Sequence, residues 1–109
     1  MPLLKAYKDY RAFLKDYYSF KKSLRSGFSF RQFSALCGFK SPNYLQLIMK
    51  GERNLSEEMA AGVANAVGLK QYEKDYFVSL VRQENSKTDE QLSQAKKESL
   101  AAIKKMVSK

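Results

Sequence analysis

With 109 residues, 44% of them hydrophobic and 13% aromatic, the chain is long enough for one modest core and too apolar to be wholly disordered. No apolar run approaches the roughly 20 residues of a membrane-spanning helix and no signal-peptide pattern opens the sequence, so the expected setting is the cytoplasm, with no membrane partner. The net charge of +9 is lopsided: residues 1–55 hold eleven Lys/Arg against three Asp/Glu and residues 56–109 nine against eight, which points to a polyanionic partner for the first half.

Residues 3–25 read as one long helix. Tyr10, Phe13, Leu14, Tyr17, Phe20 and Leu24 recur at three- and four-residue steps as its apolar face, while Lys5, Lys8, Arg11, Lys15, Lys21, Lys22 and Arg25 lie mostly off it. Rings at this spacing, with Tyr7, Tyr18 and Phe28 beside them, are expected in the core rather than as platforms for stacked bases. Ser26-Gly27 ends the helix. Ser29 then caps a short helix over Phe30–Cys37, with Gln32 placed for a capping box and Phe28 and Phe33 for the flanking hydrophobic staple. Gly38 supplies the positive φ that stops it. Cys37 is the single cysteine and cannot form an internal disulfide; on the apolar face before Gly38 it is expected to pack rather than react.

Ser41 is the expected cap of the next helix, with Pro42 as its first helical residue. Leu45 and Ile48 make its inner stripe and Gly51 ends it. Helix, tight glycine turn, helix is the grammar of a helix-turn-helix, whose second helix meets base edges in the major groove. The outward positions here are Pro42, Asn43 and Gln46, followed by Leu47 and Lys50. Amide side chains pair bidentately with adenine, so Asn43 and Gln46 are the candidate base readers; Pro42 can touch only a thymine methyl. With no arginine to read guanine, the expected sequence preference is modest. Phosphate contacts are assigned to Arg31, Lys40, Ser41, Tyr44, Lys50, Arg53 and Asn54, which flank that helix. The competing structural roles are a salt bridge from Arg53 to Glu57 or Glu58, and partial burial for Tyr44.

Ser56 caps a further helix, with Glu57 and Glu58 in its first turn, where the helix dipole favours negative charge. Met59, Val63, Ala66 and Val67 form its inner face, and Ala60, Ala61 and Gly62 leave room for another helix to approach. Residues 70–85 give an amphipathic helix through Tyr72, Tyr76, Phe77, Leu80 and Val81. Thr88 and Gln91 then form a capping box that opens a last helix over about 89–107. Its stripe of Leu92, Leu100, Ile103, Met106 and Val107 is sparse and is interrupted by Lys96 and Ser99. Three fates stay open for it: packing on the aromatic first helix, forming a dimer seam, or fraying.

Several segments carry a family likeness. Ser34-Ala35-Leu36-Cys37-Gly38, Gly51-Glu52-Arg53-Asn54 and Ala64-Asn65-Ala66-Val67-Gly68-Leu69 stand in the order found in lambda-repressor-type (XRE-type) helix-turn-helix domains, which this span resembles. More narrowly, the segments Asp9–Tyr18, Gly27–Arg31, Ser41–Leu45, Gly51–Ser56 and Asp75–Val81 resemble one bacterial subfamily. Its members carry such a domain ahead of a larger C-terminal region. The likeness covers roughly residues 7–90, and the sequence departs from the subfamily by stopping at Lys109. It implies an all-α lambda-repressor-like fold of five to six helices with a long aromatic first helix and an extra C-terminal helix.

An enzyme is not expected. The chain has no histidine, no Cys/His cluster for zinc and no phosphate-binding loop, since neither Gly51 nor Gly62 is followed by Gly-Lys-Ser/Thr. No cofactor or metal is called for. The sequence thus predicts a helix-turn-helix domain over 1–86, with its core motif at 29–51, and an amphipathic segment over 87–109 for dimerisation or a protein partner. The expected function is double-stranded DNA binding by a homodimer, as a small bacterial transcriptional regulator or nucleoid-type accessory protein. The competing expectation is a protein-interaction module on the same scaffold that has lost specific DNA binding. Leu47 and Met49 exposed together would favour that alternative.

Overall fold

The computed structural model describes residues 3–107, and within them every regular element is helical. A single 3-10 turn at Leu4–Ala6 precedes six α-helices: α1 (Tyr10–Leu24), α2 (Phe30–Leu36), α3 (Tyr44–Met49), α4 (Glu57–Val67), α5 (Gln71–Asn85) and α6 (Asp89–Val107). Among these residues no helix is long and apolar enough to cross a membrane.

The expected helix over 3–25 is broken at Asp9. That residue adopts an extended backbone and its carboxylate accepts from the Arg11 N–H at 2.9 Å, which makes it the true N-cap. The preceding strand of chain is held elsewhere, because the Tyr76 hydroxyl donates to the Tyr7 carbonyl at 2.6 Å. The buried face of α1 is Tyr10, Phe13, Leu14 and Tyr17; Phe20 is half-buried and Leu24 is 64% exposed, so the apolar stripe outlasts the core it faces.

Aromatic rings carry the centre. Phe13 meets Phe77 and Tyr7 edge-on at 6.1 and 5.5 Å, and Tyr17 lies 5.5 Å from Phe33. Phe28 and Phe33 approach to 5.7 Å as the expected staple, and Ser29 Oγ accepts from the Gln32 N–H at 3.2 Å. Three helices then stop in the same way. After α2, Gly38 takes φ 82° while the Phe39 N–H reaches back to the Ser34 carbonyl at 2.9 Å; Gly51 and Gly68, both at φ 84°, repeat this after α3 and α4. In each case the residue after glycine satisfies a carbonyl that the helix end would otherwise leave bare.

α4 begins on Ser56, whose hydroxyl accepts from the Met59 N–H at 3.2 Å. Its buried residues are Ala60, Val63, Ala64 and Val67, so the expected inner face turns slightly: Met59 and Ala66 are only half-buried. Small residues replace them because α2 presses close. A Cβ built on Gly62 would stand 2.6 Å from the Cys37 carbonyl oxygen, a contact no side chain tolerates. α5 supplies Tyr76, Phe77, Ser79, Leu80 and Val81 to the interior, and Tyr72 is half-buried.

α6 is helical to Val107, and it packs on α5 rather than on the aromatic first helix. It folds back on α5, and its buried residues are Ala95, Ser99 and Ala102 rather than the predicted large ones. Leu92, Ile103 and Met106 are half-buried, Leu100 is 60% exposed, and the Val107 side chain lies outside the described residues. Ser99, read as an interruption, is the middle of the seam. Its Oγ lies 2.6 Å from Ser79 Oγ and accepts from Gln83 Nε2 at 2.7 Å, while Ser79 Oγ donates to the Tyr76 carbonyl at 2.6 Å. The short residues let the two helices approach closely enough to make these bonds. Arg82 adds ion pairs to Glu98 at 2.5 Å and to Glu57, tying α4, α5 and α6 together.

Gly62→Ala tests the α2–α4 contact. The gain in helix propensity, about 1 kcal/mol, should be outweighed by displacement of the Cys37 backbone, for a net loss on the order of 1–2 kcal/mol in urea unfolding. A more stable variant would show that α2 and α4 are not in close contact.

Candidate nucleic-acid interface

The surface around α3 is built by two pinned connections. The first, residues 37–43, starts at the Gly38 turn and is closed by Ser34, a buried serine whose hydroxyl donates to the Pro42 carbonyl at 3.3 Å. That carbonyl is thereby taken from helical use, and α3 begins at Tyr44, two residues later than the sequence predicts. Asn43, not Ser41, stands at the N-cap position, and Pro42 belongs to the turn. Ser41 Oγ still accepts, at 3.4 Å, from the Asn43 N–H. Phe39 packs edge-on against Tyr44 at 5.2 Å.

The second connection, residues 50–56, is pinned from beneath. The Arg11 guanidinium donates to the Ile48 carbonyl at 2.9 Å, the Arg53 carbonyl at 3.2 Å and the Asn54 side-chain oxygen, and pairs with Glu84 at 2.9 Å. Tyr44 Oη donates to the Asn54 carbonyl at 3.1 Å. The backbone of buried Leu55 is satisfied on both sides: its N–H donates to Tyr10 Oη at 3.4 Å, and Asn85 Nδ2 donates to its carbonyl at 2.7 Å. Burial, the largest influence, pushes the Tyr10 phenol above its ordinary value and keeps it neutral.

On α3 itself, Leu45, Ile48 and Met49 are buried. Asn43, Gln46, Leu47 and Lys50 fall at i, i+3, i+4 and i+7, one stripe on the opposite side. Asn43 and Lys50 are exposed, and Gln46 and Leu47 half-buried. Lys40, Ser41 and Pro42 are exposed at one end of α3, and Arg53 and Asn54 at the other. Arg31 is exposed on the first turn of α2. Met49, whose exposure beside Leu47 would favour the protein-interaction alternative, is 5% exposed and belongs to the core.

Two assigned phosphate donors turn out to have structural duties. The hydroxyl hydrogen of half-buried Tyr44 is given to Asn54, and the Asn54 side-chain oxygen accepts from Arg11. Arg53 contributes its carbonyl to the clamp while its side chain, among the described residues, makes no ion pair. The competing role, a salt bridge to Glu57 or Glu58, is not formed, and Glu57 pairs with Arg82. Sequence reasoning missed Arg11 and Ser34. Arg11 was one of several lysines and arginines off the apolar face, and nothing local marks it; its four acceptors lie 37 to 73 residues away.

Beside the turn, Cys37 is 7% exposed, and burial pushes its thiol up to about 12. Among the described residues no group of acidic or sulfur side chains converges so as to hold a metal ion. The arrangement offers amides, hydroxyls and cations around an exposed helix edge. No protein-family model matches the chain, and neither a curated protein nor a solved structure matches it.

Arg11→Ala should cost on the order of 2 kcal/mol in urea unfolding, since a part-buried charge-assisted bond to Ile48 and three exposed ones are lost together. Arg11→Lys should recover little of it, because one ammonium cannot serve acceptors spread around a planar fork. A loss below about 0.5 kcal/mol for Arg11→Ala would remove the clamp from the fold's supports. Cys37 should be nearly inert to a thiol reagent at pH 8 in the folded protein: a rise from 9.0 to about 12 leaves about a thousandfold less thiolate than in an unfolded chain. Rapid native-state labelling would mean that the thiol is open to solvent.

Proposed function

We infer that the chain binds double-stranded DNA through a lambda-repressor-like helix-turn-helix formed by α2 and α3. On this reading the segment Ser41–Lys50 enters the major groove, as a small transcriptional regulator of the bacterial cytoplasm would use it. The observation that carries the reading is the stripe Asn43-Gln46-Leu47-Lys50, set opposite the buried Leu45-Ile48-Met49 and held between two rigid connections. Asn43 and Gln46 are the groups able to pair with adenine, and Leu47 joins Pro42 as an apolar neighbour for a thymine methyl. Lys40, Lys50, Arg53 and Arg31 are exposed cations around them, suited to phosphates on either side of the groove. Ser41 keeps a hydroxyl proton to donate. Tyr44 and Asn54 act one step back, by fixing the loop that carries Arg53.

A homodimer is part of this reading, because a six-residue helix reaches few bases and paired half-sites multiply its discrimination. The competing reading as a protein-interaction module needs an apolar surface on this face. With Met49 in the core and Leu47 half-buried, the charge pattern favours DNA.

Fluorescence anisotropy against a random-sequence duplex should show affinity falling log-linearly with salt, and Lys50→Ala or Arg53→Ala should each lower the slope by roughly 0.9. Asn43→Ala with Gln46→Ala should erase any preference among selected sequences and leave random-duplex affinity within a few fold. Absence of wild-type binding even at low salt would overturn the reading. Equal losses by the double variant on selected and random duplexes would dismiss the two amides as base readers.

A further inference from the structure

α1 carries a second ordered feature. Arg11, Lys15, Tyr18 and Lys22 follow one another at steps of four, three and four residues, and so occupy one side of the helix; Lys8 and Arg25 stand just outside its ends, in extended chain before the N-cap and at the C-cap. The opposite flank of the helix holds Ala12, Asp16, Ser19 and Ser23 and no cation. The cationic side is anchored at both ends to the proposed DNA-facing elements. At one end Arg11 grips the carbonyls of Ile48 and Arg53, beside Lys50 and Arg53. At the other, Lys22 Nζ donates to the Phe28 carbonyl at 2.8 Å, and Tyr18 stacks on Phe30 at 4.0 Å, immediately before Arg31.

Between these two ties, on the same side of the helix, stands one further cation. That residue is Lys15, which is exposed and, among the described residues, has no ion pair. Arg25 and Lys8, exposed and likewise without ion pairs there, extend the row. From Arg11 to Lys22 the rise is about 16 Å, close to five base-pair steps at roughly 3.4 Å each. Arg11 is committed to two carbonyls, Asn54 and the Glu84 carboxylate, and Lys22 to one carbonyl, whereas Lys15 and Arg25 have their full side-chain donor sets available.

Resting on the DNA-binding reading, we propose that this side of α1 is a second phosphate-binding track, on which Lys15 and Arg25 neutralise the duplex backbone flanking the segment read by α3. A row of cations beside a groove-reading helix complements a phosphate strand, whose charges are also in a row. The track adds affinity and footprint length and no sequence preference, because it touches only phosphate.

The test compares wild type, Lys15→Gln/Arg25→Gln and Lys15→Arg/Arg25→Lys on a 30-base-pair random duplex across a salt series. The glutamine pair should lower the slope by about 1.8, at about 0.9 per phosphate contact, and the charge-preserving pair should keep the wild-type slope. Site preference in a competition between selected and random duplexes should be the same for all three proteins. An unchanged slope for the glutamine pair, in a protein whose wild type binds and whose Lys50→Ala slope falls, would overturn the track and leave the α3 reading standing. Failure of wild type to bind any duplex would overturn both. Loss of binding to phosphatidylserine vesicles by the glutamine pair, with DNA affinity untouched, would assign the row to a membrane surface and overturn the proposal.

Discussion

The architecture depends on the Arg11 guanidinium. It joins the first helix to the end of α3, to the loop that follows and to α5, through the Ile48 and Arg53 carbonyls, Asn54 and Glu84. A helix of six residues cannot hold its own shape in water, since nucleation costs more than so few internal bonds return. α3 therefore exists because its two ends are fixed by tertiary bonds, from Ser34 before it and Arg11 after it. The buried face of Leu45, Ile48 and Met49 sets its rotation. The proposed recognition stripe inherits its direction from those three constraints, none of which lies in the stripe.

The helical segments were legible in the sequence because the signals that specify them are local. Ser29, Ser56 and Thr88 each accept from the backbone N–H three residues on, and the glycines at 38, 51 and 68 each close a helix with positive φ. The errors arise where distant groups compete. The start of α3 moved because a serine eight residues earlier holds the Pro42 carbonyl. The first helix was shortened at Asp9, whose carboxylate caps it, while the chain before it is held by Tyr76. On α6 the sequence favoured leucine and methionine, yet small residues bury better where two helix backbones come close. Of the proposed site, the outward residues follow from period alone; the clamp beneath them depends on partners up to 73 residues away and leaves no local trace.

On the DNA-binding reading, the charge asymmetry gains a spatial form. Most cations of the first half lie on α1 or around α3. The two groups are sewn together by Arg11 and by Lys22, so basic side chains do structural work inside a surface that remains basic outside. The bond from the Lys22 ammonium to a carbonyl leaves its charge uncancelled, whereas Arg11 shares its charge with Glu84. A polyanion approaching this face is therefore attracted by Lys22 as well as by the cations that make no ion pair.

The seam between α5 and α6 has a different thermodynamic character. Ser79 donates to Tyr76 within its own helix, and Ser99 Oγ lies 3.2 Å from the Ala95 carbonyl within its own. If α6 swung away, each hydroxyl would keep a local partner and water would replace the rest. The apolar surface uncovered would include Ala95 and Ala102, the half-buried Leu92, Ile103 and Met106, and the α5 side chains they cover. Opening α1 would by contrast take the Arg11 donors from backbone and side-chain acceptors on α3, the following loop and α5 at once, none of them within its own helix. The seam hydroxyls thus carry their substitutes with them, and the Arg11 guanidinium does not.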